Sequence, residues 1–139
     1  MIADTRTNAG LDDISTYRKL SIVAARGDRV LVLASAGNLS LSQSVVSVLK
    51  EGLENSDTGE IETLQNVPSL FRAVQLVGRA IRRVRSIEGK AFEDGGLRFS
   101  VCFLFGGQIR GEPMALYMVY SAGNFSLSPR GYDAHDRTL

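Results

Sequence analysis

Three kinds of side chain near the start of the chain could take part in catalysis: a carboxylate, an ammonium group and several hydroxyls. Asp4 follows a short apolar segment and precedes a polar turn, and Lys19 lies at the end of the next segment. A carboxylate beside a lysine keeps the ammonium group charged, and such a cation can stabilise negative charge on an oxygen. Read from the residues alone, Asp4 and Lys19 form an ion pair between neighbouring strands. Turn chemistry explains the nearby hydroxyl residues Thr5, Thr7 and Ser35.

The two other residues with reactive side chains do not form a site. Cys102 alternates with large apolar residues in a predicted strand, so we interpret it as a small packed side chain rather than a nucleophile. His135 lies in a polar segment at the end of the chain and is expected to be solvated. One cysteine and one histidine exclude an internal disulfide and a zinc site built from such residues. No metal and no cofactor are expected.

Length and composition predict one ordinary globular domain. The chain has 139 residues, of which 44% are hydrophobic and 22% charged, and its formal net charge is +1. Nonspecific nucleic-acid binding requires a clear basic excess, so no nucleic-acid partner is expected. The apolar runs are too short to span a membrane, and no export signal opens the chain, which predicts no membrane partner and a cytoplasmic location.

The elements that must position the candidate residues begin with two strands and a helix. Residues 19–23 and 29–34 are predicted to form a hairpin closed by a Gly-Asp turn. The second strand is apolar on both faces, which predicts a central position. Ser40 and Gln43 are then predicted to cap a helix as a capping box. The predicted buried stripe of this helix comprises Leu41, Val45, Val48, Leu49 and Leu53.

A second helix is predicted after a polar loop, residues 54–66. Asn66 is expected to cap this helix, Pro68 to lie in its first turn and Gly89 to end it. Its predicted buried stripe comprises Leu70, Val74, Val77, Ile81 and Val84. The predicted solvent-facing arginines are Arg72, Arg79, Arg82, Arg83 and Arg85. Since the total charge is nearly neutral, we assign this face to contacts between subunits rather than to nucleic acid.

Two further strands complete the predicted order. Residues 98–105 and 115–120 are predicted strands separated by a predicted turn region at Gly106-Gly107. Alternation in the first of them predicts one apolar side, formed by Phe99, Val101, Phe103 and Phe105. The order strand, strand, helix, helix, strand, strand predicts an α+β fold in which helices cover a face of a mostly antiparallel sheet. Residues 126–139 are polar and lack periodicity, so we expect a disordered tail after a domain at residues 1–125.

The chain resembles the proteasome-type peptidases, which are N-terminal-nucleophile hydrolases, and among them the bacterial Anbu (ancestral beta subunit) branch. The resemblance is strongest from Asp4 to Lys19, at Arg26-Gly-Asp-Arg-Val-Leu-Val-Leu33 with Ser35-Ala-Gly-Asn38, and at Phe103-Leu-Phe-Gly-Gly-Gln-Ile-Arg-Gly111. It implies a four-layer sandwich of helix, sheet, sheet and helix. It also implies a threonine-type peptidase that cleaves peptides or proteins inside a self-compartmentalising homo-oligomer, either a ring or a helical assembly.

The resemblance implies roles for three residues. In this family the first residue of the mature chain is a threonine, whose hydroxyl attacks the amide carbon while its α-amine accepts the proton. Lys19 matches the cation beside that hydroxyl, and Asp4 matches the carboxylate that keeps the lysine charged. Gly37 matches the glycine whose backbone N–H helps to form the oxyanion hole. Arg18 remains an alternative to Lys19, and Gly37 could serve only as the turn that enters the helix.

The resemblance also implies that the fold is incomplete. The sequence starts just before Asp4, so the first strand with its threonine and the C-terminal elements are expected to be missing, and Met1 fits an internal strand residue better than a true start. A mis-set start codon is the expected cause, and residues 1–139 alone are predicted to be inactive. Two alternatives stay open. One is a non-catalytic assembly protein of the same fold, and the other is an unrelated α/β binding module of the roadblock or longin kind.

Overall fold

A computed structural model describes residues 7–9, 12–14 and 20–127, with side chains from residue 20 onward. The described elements are β1 (Thr7–Ala9), β2 (Asp12–Ile14), β3 (Leu20–Arg26), β4 (Arg29–Gly37), α1 (Leu39–Glu51), β5 (Leu53–Glu54), β6 (Ile61–Glu62), α2 (Leu70–Asp94), β7 (Val101–Ile109), β8 (Ala115–Val119) and β9 (Phe125–Leu127). This order confirms the predicted α+β class.

Five of these strands form one antiparallel sheet in the order β3-β4-β7-β8-β9. The predicted hairpin is β3 and β4, and β4 pairs with β7 on its other side, so its interior position is confirmed. Two short hairpins stand apart from this sheet, β1 with β2 and β5 with β6. β9 spans the boundary that the sequence placed at residue 125, so the pairing of the sheet continues to Leu127.

Both helices pack on one face of the sheet. Leu31 and Leu33 of β4 and Phe103 and Phe105 of β7 are at most 2% exposed and belong to the same core as the helices. The predicted stripe of α2 is confirmed, because all five of its residues are buried: Leu70, Val74, Val77, Ile81 and Val84. In α1 the periodicity holds at Leu41, Val45 and Leu49. Leu53 lies beyond the helix, in β5.

The opposite face of the sheet, here called the open face, is apolar but not buried. Val30 of β4 is 50% exposed, and Ile22 of β3 is 70% exposed. Val32 and Ala34 follow Val30 on the same face of β4, since side chains along a strand alternate. The described residues therefore form two layers, one of helices and one of sheet. They do not contain the second pair of layers of the expected four-layer sandwich.

The cap of α1 is Asn38 and not the predicted capping box. The Asn38 side chain accepts a hydrogen bond from the backbone N–H of Leu41 at 3.1 Å. β4 extends to Gly37, so Asn38 is the residue between the strand and the helix. Its side-chain oxygen lies close to the unpaired N–H groups of the first turn of α1. Ser40 and Gln43 lie inside the helix, and the prediction that they form its cap was wrong.

The start of α2 also differs from its prediction. Ser69 caps the helix by accepting a hydrogen bond from the N–H of Arg72, and Pro68 lies before this cap rather than in the first turn. Asn66 was predicted as the cap, but its side chain accepts a hydrogen bond from the N–H of Thr63 and donates one to the Ile61 carbonyl. The asparagine amide therefore stabilises the preceding turn.

Two glycine positions were misread from the sequence. Gly89 was predicted to end α2, but it lies buried within a helix that continues to Asp94. Gly106 and Gly107 were predicted to form a turn, but they lie inside β7 and pair with Val32 and Leu31. A Cβ atom on Gly107 would lie 2.0 Å from the Val30 carbonyl oxygen, so glycine is needed here for close approach of two strands.

Within the predicted loop at 54–66, β5 and β6 form a small hairpin that is tied to α2 by Glu62. Its carboxylate accepts hydrogen bonds from Arg72 at 2.7 Å and from Arg79 at 2.8 Å, and a third from Asn55. Burial opposes ionisation of this carboxyl, but the three donors outweigh it and hold the pKa of Glu62 below its usual value.

We expect Glu62→Gln to lower the free energy of unfolding at neutral pH by about 1–2 kcal/mol, because it removes two charge-assisted hydrogen bonds. A depressed pKa in the folded state contributes stability above the unfolded pKa, and this contribution is lost as the pH falls through the folded value. The difference in the free energy of unfolding between the wild type and Glu62→Gln should therefore decrease at acid pH. Denaturant titrations at several pH values measure it, with Glu60→Gln, an exposed carboxyl in the same hairpin, as the control. Equal losses for both variants at every pH would contradict this role of Glu62.

Candidate functional site

Two of the three predicted site residues, Asp4 and Lys19, lie outside the described residues, as do Arg18 and His135. The pairing of Asp4 with Lys19 therefore stays a prediction. The described part of the candidate site is the end of β4 around Gly37.

Gly37 is an exposed residue whose backbone requires glycine. It ends β4 opposite Val101 of β7, and its φ of 104° is a conformation that other residues rarely adopt. A Cβ atom here would lie 2.7 Å from the backbone oxygen of Ser100. Because Gly37 is exposed and has no side chain, a molecule bound here would contact its backbone.

The backbone N–H of Gly37 is directed away from β7. The N–H of Asn38 donates to the Ser100 carbonyl at 3.1 Å, so these two residues are a hydrogen-bonded pair of the β4–β7 ladder. Such pairs alternate with non-hydrogen-bonded pairs in antiparallel sheets, and Gly37 with Val101 is therefore of the second kind. Its N–H points to the side of β4 on which β3 lies. The described pairing with β3 ends earlier, at Leu20 with Ala34.

The beginning of α1 adds favourable electrostatics next to Gly37. The helix starts at Leu39, and Asn38 satisfies one of its unpaired N–H groups. The N-terminal end of a helix carries a partial positive charge. The Gly37 N–H and this helix end together form an environment suited to an oxygen that gains negative charge.

The other candidate nucleophiles do not complete this site. Ser35 lies two residues before Gly37 on the same strand and is partly buried. Cys102 lies opposite Ala36 in the β4–β7 pairing, and burial raises the pKa of its thiol. A raised pKa disfavours the thiolate, so the prediction of a packed rather than a nucleophilic cysteine agrees with its surroundings.

The arginines of α2 are used within the fold more than the sequence indicated. Arg72 and Arg79 bind Glu62, and Arg82 donates to the Gly123 carbonyl at 2.9 Å. Arg85 lies 5.5 Å from the centre of the Phe99 ring. Among these five arginines, Arg83 alone is exposed with no described hydrogen bond, ion pair or ring contact of its side chain. Four of the five arginines thus anchor neighbouring segments.

Glu62 was not predicted from the sequence. Its position between two predicted elements, close to a helix face rich in arginine, was a possible signal.

The described residues contain no group of three histidine, cysteine or carboxylate side chains that could hold a metal ion. Neither of the two described helices has the length and apolar character that a membrane crossing requires.

Solved structures share both fold and sequence with the chain. Anbu from Hyphomicrobium sp. strain MC1 is 44% identical with a TM-score of 0.73, over 91% of this chain and 50% of that one. Anbu (ancestral beta-subunit) from Yersinia bercovieri is 40% identical with a TM-score of 0.74, over 91% and 50%. The helical assembly of the Anbu complex from Pseudomonas aeruginosa is 41% identical with a TM-score of 0.75, over 90% and 50%.

In sequence and in fold the chain is similar to Anbu, a branch of the proteasome-type fold. It spans about half the length of these three Anbu chains. No family model matches the sequence, and no curated protein does. Identity of 40–45% over about 90% of the chain confirms the proteasome-type resemblance and disfavours an unrelated roadblock or longin module.

Proposed function

We propose that this chain is part of a proteasome-like, threonine-type peptidase subunit, which hydrolyses peptide bonds of peptide or protein substrates in a cytoplasmic homo-oligomer. The observation that carries the proposal is the backbone at Gly37, whose N–H is turned out of the β4–β7 ladder beside the start of α1. The Anbu complex from Pseudomonas aeruginosa forms a helical assembly, which supports self-assembly of this chain. No metal, cofactor, nucleic acid or membrane has a part in this proposal.

In the proposed reaction, the hydroxyl of an N-terminal threonine attacks the amide carbon and its α-amine takes the proton, since an amine of pKa about 7.7–8.0 can act as a base near neutral pH. Lys19 lowers the pKa of the hydroxyl by its positive charge, and Asp4 keeps this lysine protonated in a partly desolvated site. Gly37 donates its N–H to the oxyanion of the tetrahedral intermediate.

Chain connectivity supports a position for Lys19 close to Gly37. Lys19 directly precedes Leu20, and Leu20 pairs with Ala34. Leu20 therefore lies opposite a residue three positions before Gly37, and consecutive Cα atoms are about 3.8 Å apart, which is why we propose this position for Lys19. The Gly37 N–H points to this same side of β4. A lysine side chain is long enough to bring its ammonium group to a hydroxyl held there.

We further propose that a second sheet covers the open face and completes a four-layer sandwich. Val30 and Ile22 are 50% and 70% exposed on this face, and Met114, which lines the same surface pocket as Val30, is 71% exposed. Large apolar side chains grouped in this way normally pack against another layer. Each fully buried side chain of this size contributes about 1.5–3 kcal/mol, which makes an uncovered face unfavourable. The proposed catalytic cleft lies at the end of this face, between the two sheets.

The test compares two polypeptides in fluorogenic peptide hydrolysis. Residues 1–139 alone have no N-terminal threonine, so we expect no turnover. In a chimera these residues replace the matching half of the Pseudomonas aeruginosa Anbu, and the rest of that chain supplies the other segments. We expect the chimera to assemble and to hydrolyse peptides, with the parent protein assayed beside it. An assembled chimera that is inactive beside an active parent would contradict the peptidase proposal and favour a non-catalytic assembly protein of the same fold.

A further inference from the structure

A groove opens at one lateral edge of the molecule, between β3 and α1. Val23 of β3, Val46 and Leu49 of α1, and Leu64 of the segment before α2 form its apolar lining. Its volume is about 210 Å³. Lys50, an exposed residue of α1, lies at its rim. The groove is therefore an apolar recess with a positive charge beside it.

The opposite edge of the molecule carries a protruding aromatic side chain. Phe71, in the first turn of α2, is 54% exposed. Its ring meets that of Phe125 in β9 edge to face, with 5.9 Å between the ring centres, and Phe125 meets Tyr117 of β8 in the same way at 5.8 Å. These contacts hold the Phe71 ring in place before any partner arrives, which lowers the entropy cost of binding.

The groove and Phe71 lie at the two lateral edges of the sheet. β3 and β9 are the two outer strands of the order β3-β4-β7-β8-β9. Leu64 lines the groove and α2 begins at Leu70, so one short segment leads from the groove to the turn that carries Phe71. Arg29 fixes this segment by donating to the carbonyl oxygens of Leu64 and Val67. Copies placed side by side can thus bring the ring of one to the groove of the next.

The groove and the surface around Phe71 are complementary in size and in charge. An apolar cavity of about 150 Å³ accommodates a benzene molecule, so a groove of about 210 Å³ has room for a phenyl ring. The Glu112 carboxylate lies beside Phe71, because it accepts a hydrogen bond from the N–H of Leu70 at 2.9 Å. Insertion of the ring would bring this negative charge towards the positive Lys50 at the groove rim.

We infer that the occupant of the groove is Phe71 of a second copy of this chain. The contact is heterologous, since each copy offers a ring at one edge and a groove at the other, and such contacts produce rings or helical assemblies. The inference rests on the proposed homo-oligomer and names the side chains that join neighbouring subunits. Phe71 is the anchor of the interface, and Lys50 with Glu112 sets its orientation.

The test measures association of the full chain by sedimentation velocity over a range of concentrations. Phe71→Ser removes the ring and Val46→Trp fills the groove, and each should weaken association by about tenfold or more. Lys50→Glu, at an exposed position, should weaken it as well without a loss of thermal stability. Ile87→Ser is the matched control, because Ile87 is a comparably exposed apolar residue elsewhere on α2. It should leave association unchanged.

A mixture of Phe71→Ser and Val46→Trp gives the decisive result. The first variant keeps the groove and the second keeps the ring, so the mixture should form a dimer with one intact contact and no longer chains. The inference would be overturned if Phe71→Ser left association unchanged, or if Ile87→Ser weakened it equally. It would also be overturned if mixing Phe71→Ser with Val46→Trp did not restore association. These measurements do not involve peptide hydrolysis. An assembling but inactive chimera refutes only the proposed function, and assembly that is indifferent to Phe71 refutes only the interface.

Discussion

Replacing Lys19 by alanine in the chimera is expected to lower kcat/KM for peptide hydrolysis by about a hundredfold or more. The ammonium group is the proposed source of positive charge beside the attacking hydroxyl, and loss of one such electrostatic contact costs this much in other hydrolases. Asp4→Asn should act in the same direction, because an uncompensated lysine in a partly desolvated site loses its proton more readily. Initial rates with a fluorogenic peptide, measured at matched concentrations of assembled protein, provide the comparison.

Two control variants make this result specific. Arg18→Ala removes the neighbouring cation that the sequence left as an alternative, and Lys90→Ala removes an exposed lysine of α2. Lys90→Ala should keep hydrolysis within about twofold of the unmodified chimera. Arg18→Ala should do the same. If Arg18→Ala abolishes hydrolysis and Lys19→Ala does not, the two residues exchange roles and the assignment of Lys19 is wrong.

Replacing Gly107 by alanine is expected to reduce the free energy of unfolding by about 3 kcal/mol or more. The new Cβ would lie 2.0 Å from the Val30 carbonyl oxygen and 3.0 Å from the Cα of Leu31, so β7 would have to move away from β4. The φ of Gly107, 143°, is also a conformation that alanine rarely adopts. Urea denaturation monitored by circular dichroism measures the loss.

Gly111→Ala separates the effect of the steric clash from the effect of the positive φ. Gly111 has a φ of 88°, but a Cβ atom there would meet no atom within 4 Å. Gly111→Ala should therefore cost only the backbone strain, about 1–2 kcal/mol. If Gly107→Ala is no more destabilising than Gly111→Ala, the close approach of β4 and β7 does not require glycine, and the description of this strand pair is wrong.

The parts of the fold that follow from periodicity were predictable. The five apolar residues of α2 recur at helical spacing, and all of them are buried. Alternation placed Phe99, Val101, Phe103 and Phe105 on one side of a strand, and all four are buried. Burial of this kind depends on which face of an element is apolar, and a single sequence contains that information.

The boundaries of the elements depended on contacts that the sequence does not display. Asn38 and Ser69 rather than Ser40 and Asn66 cap the helices, because the chain direction at each helix entry decides which polar side chain can reach the free N–H groups. A glycine pair is consistent with a turn or with a close strand crossing. Only the neighbouring Val30 carbonyl shows that Gly107 serves the second purpose.

The candidate site could be predicted in part, and by resemblance more than by spacing. Asp4 and Lys19 by themselves indicated only an ion pair between strands. Gly37 was ambiguous between a helix-entry turn and an oxyanion hole, and its position at the end of β4 supports both, since Asn38 follows it as the cap of α1. The carboxylate of Glu62 that organises two arginines was not foreseen, because its partners are ten and seventeen residues away.

The most direct test of the proposed site is an experimental structure of the assembled chimera, in which the distance from Lys19 Nζ to the Asp4 carboxylate is measured. We predict about 3 Å, a charge-assisted hydrogen bond, with the Gly37 N–H facing the same cleft and a second sheet packed on Val30 and Val32. Lys19 and Asp4 side chains that point in different directions, or an open face that no second sheet covers, would contradict the peptidase assignment.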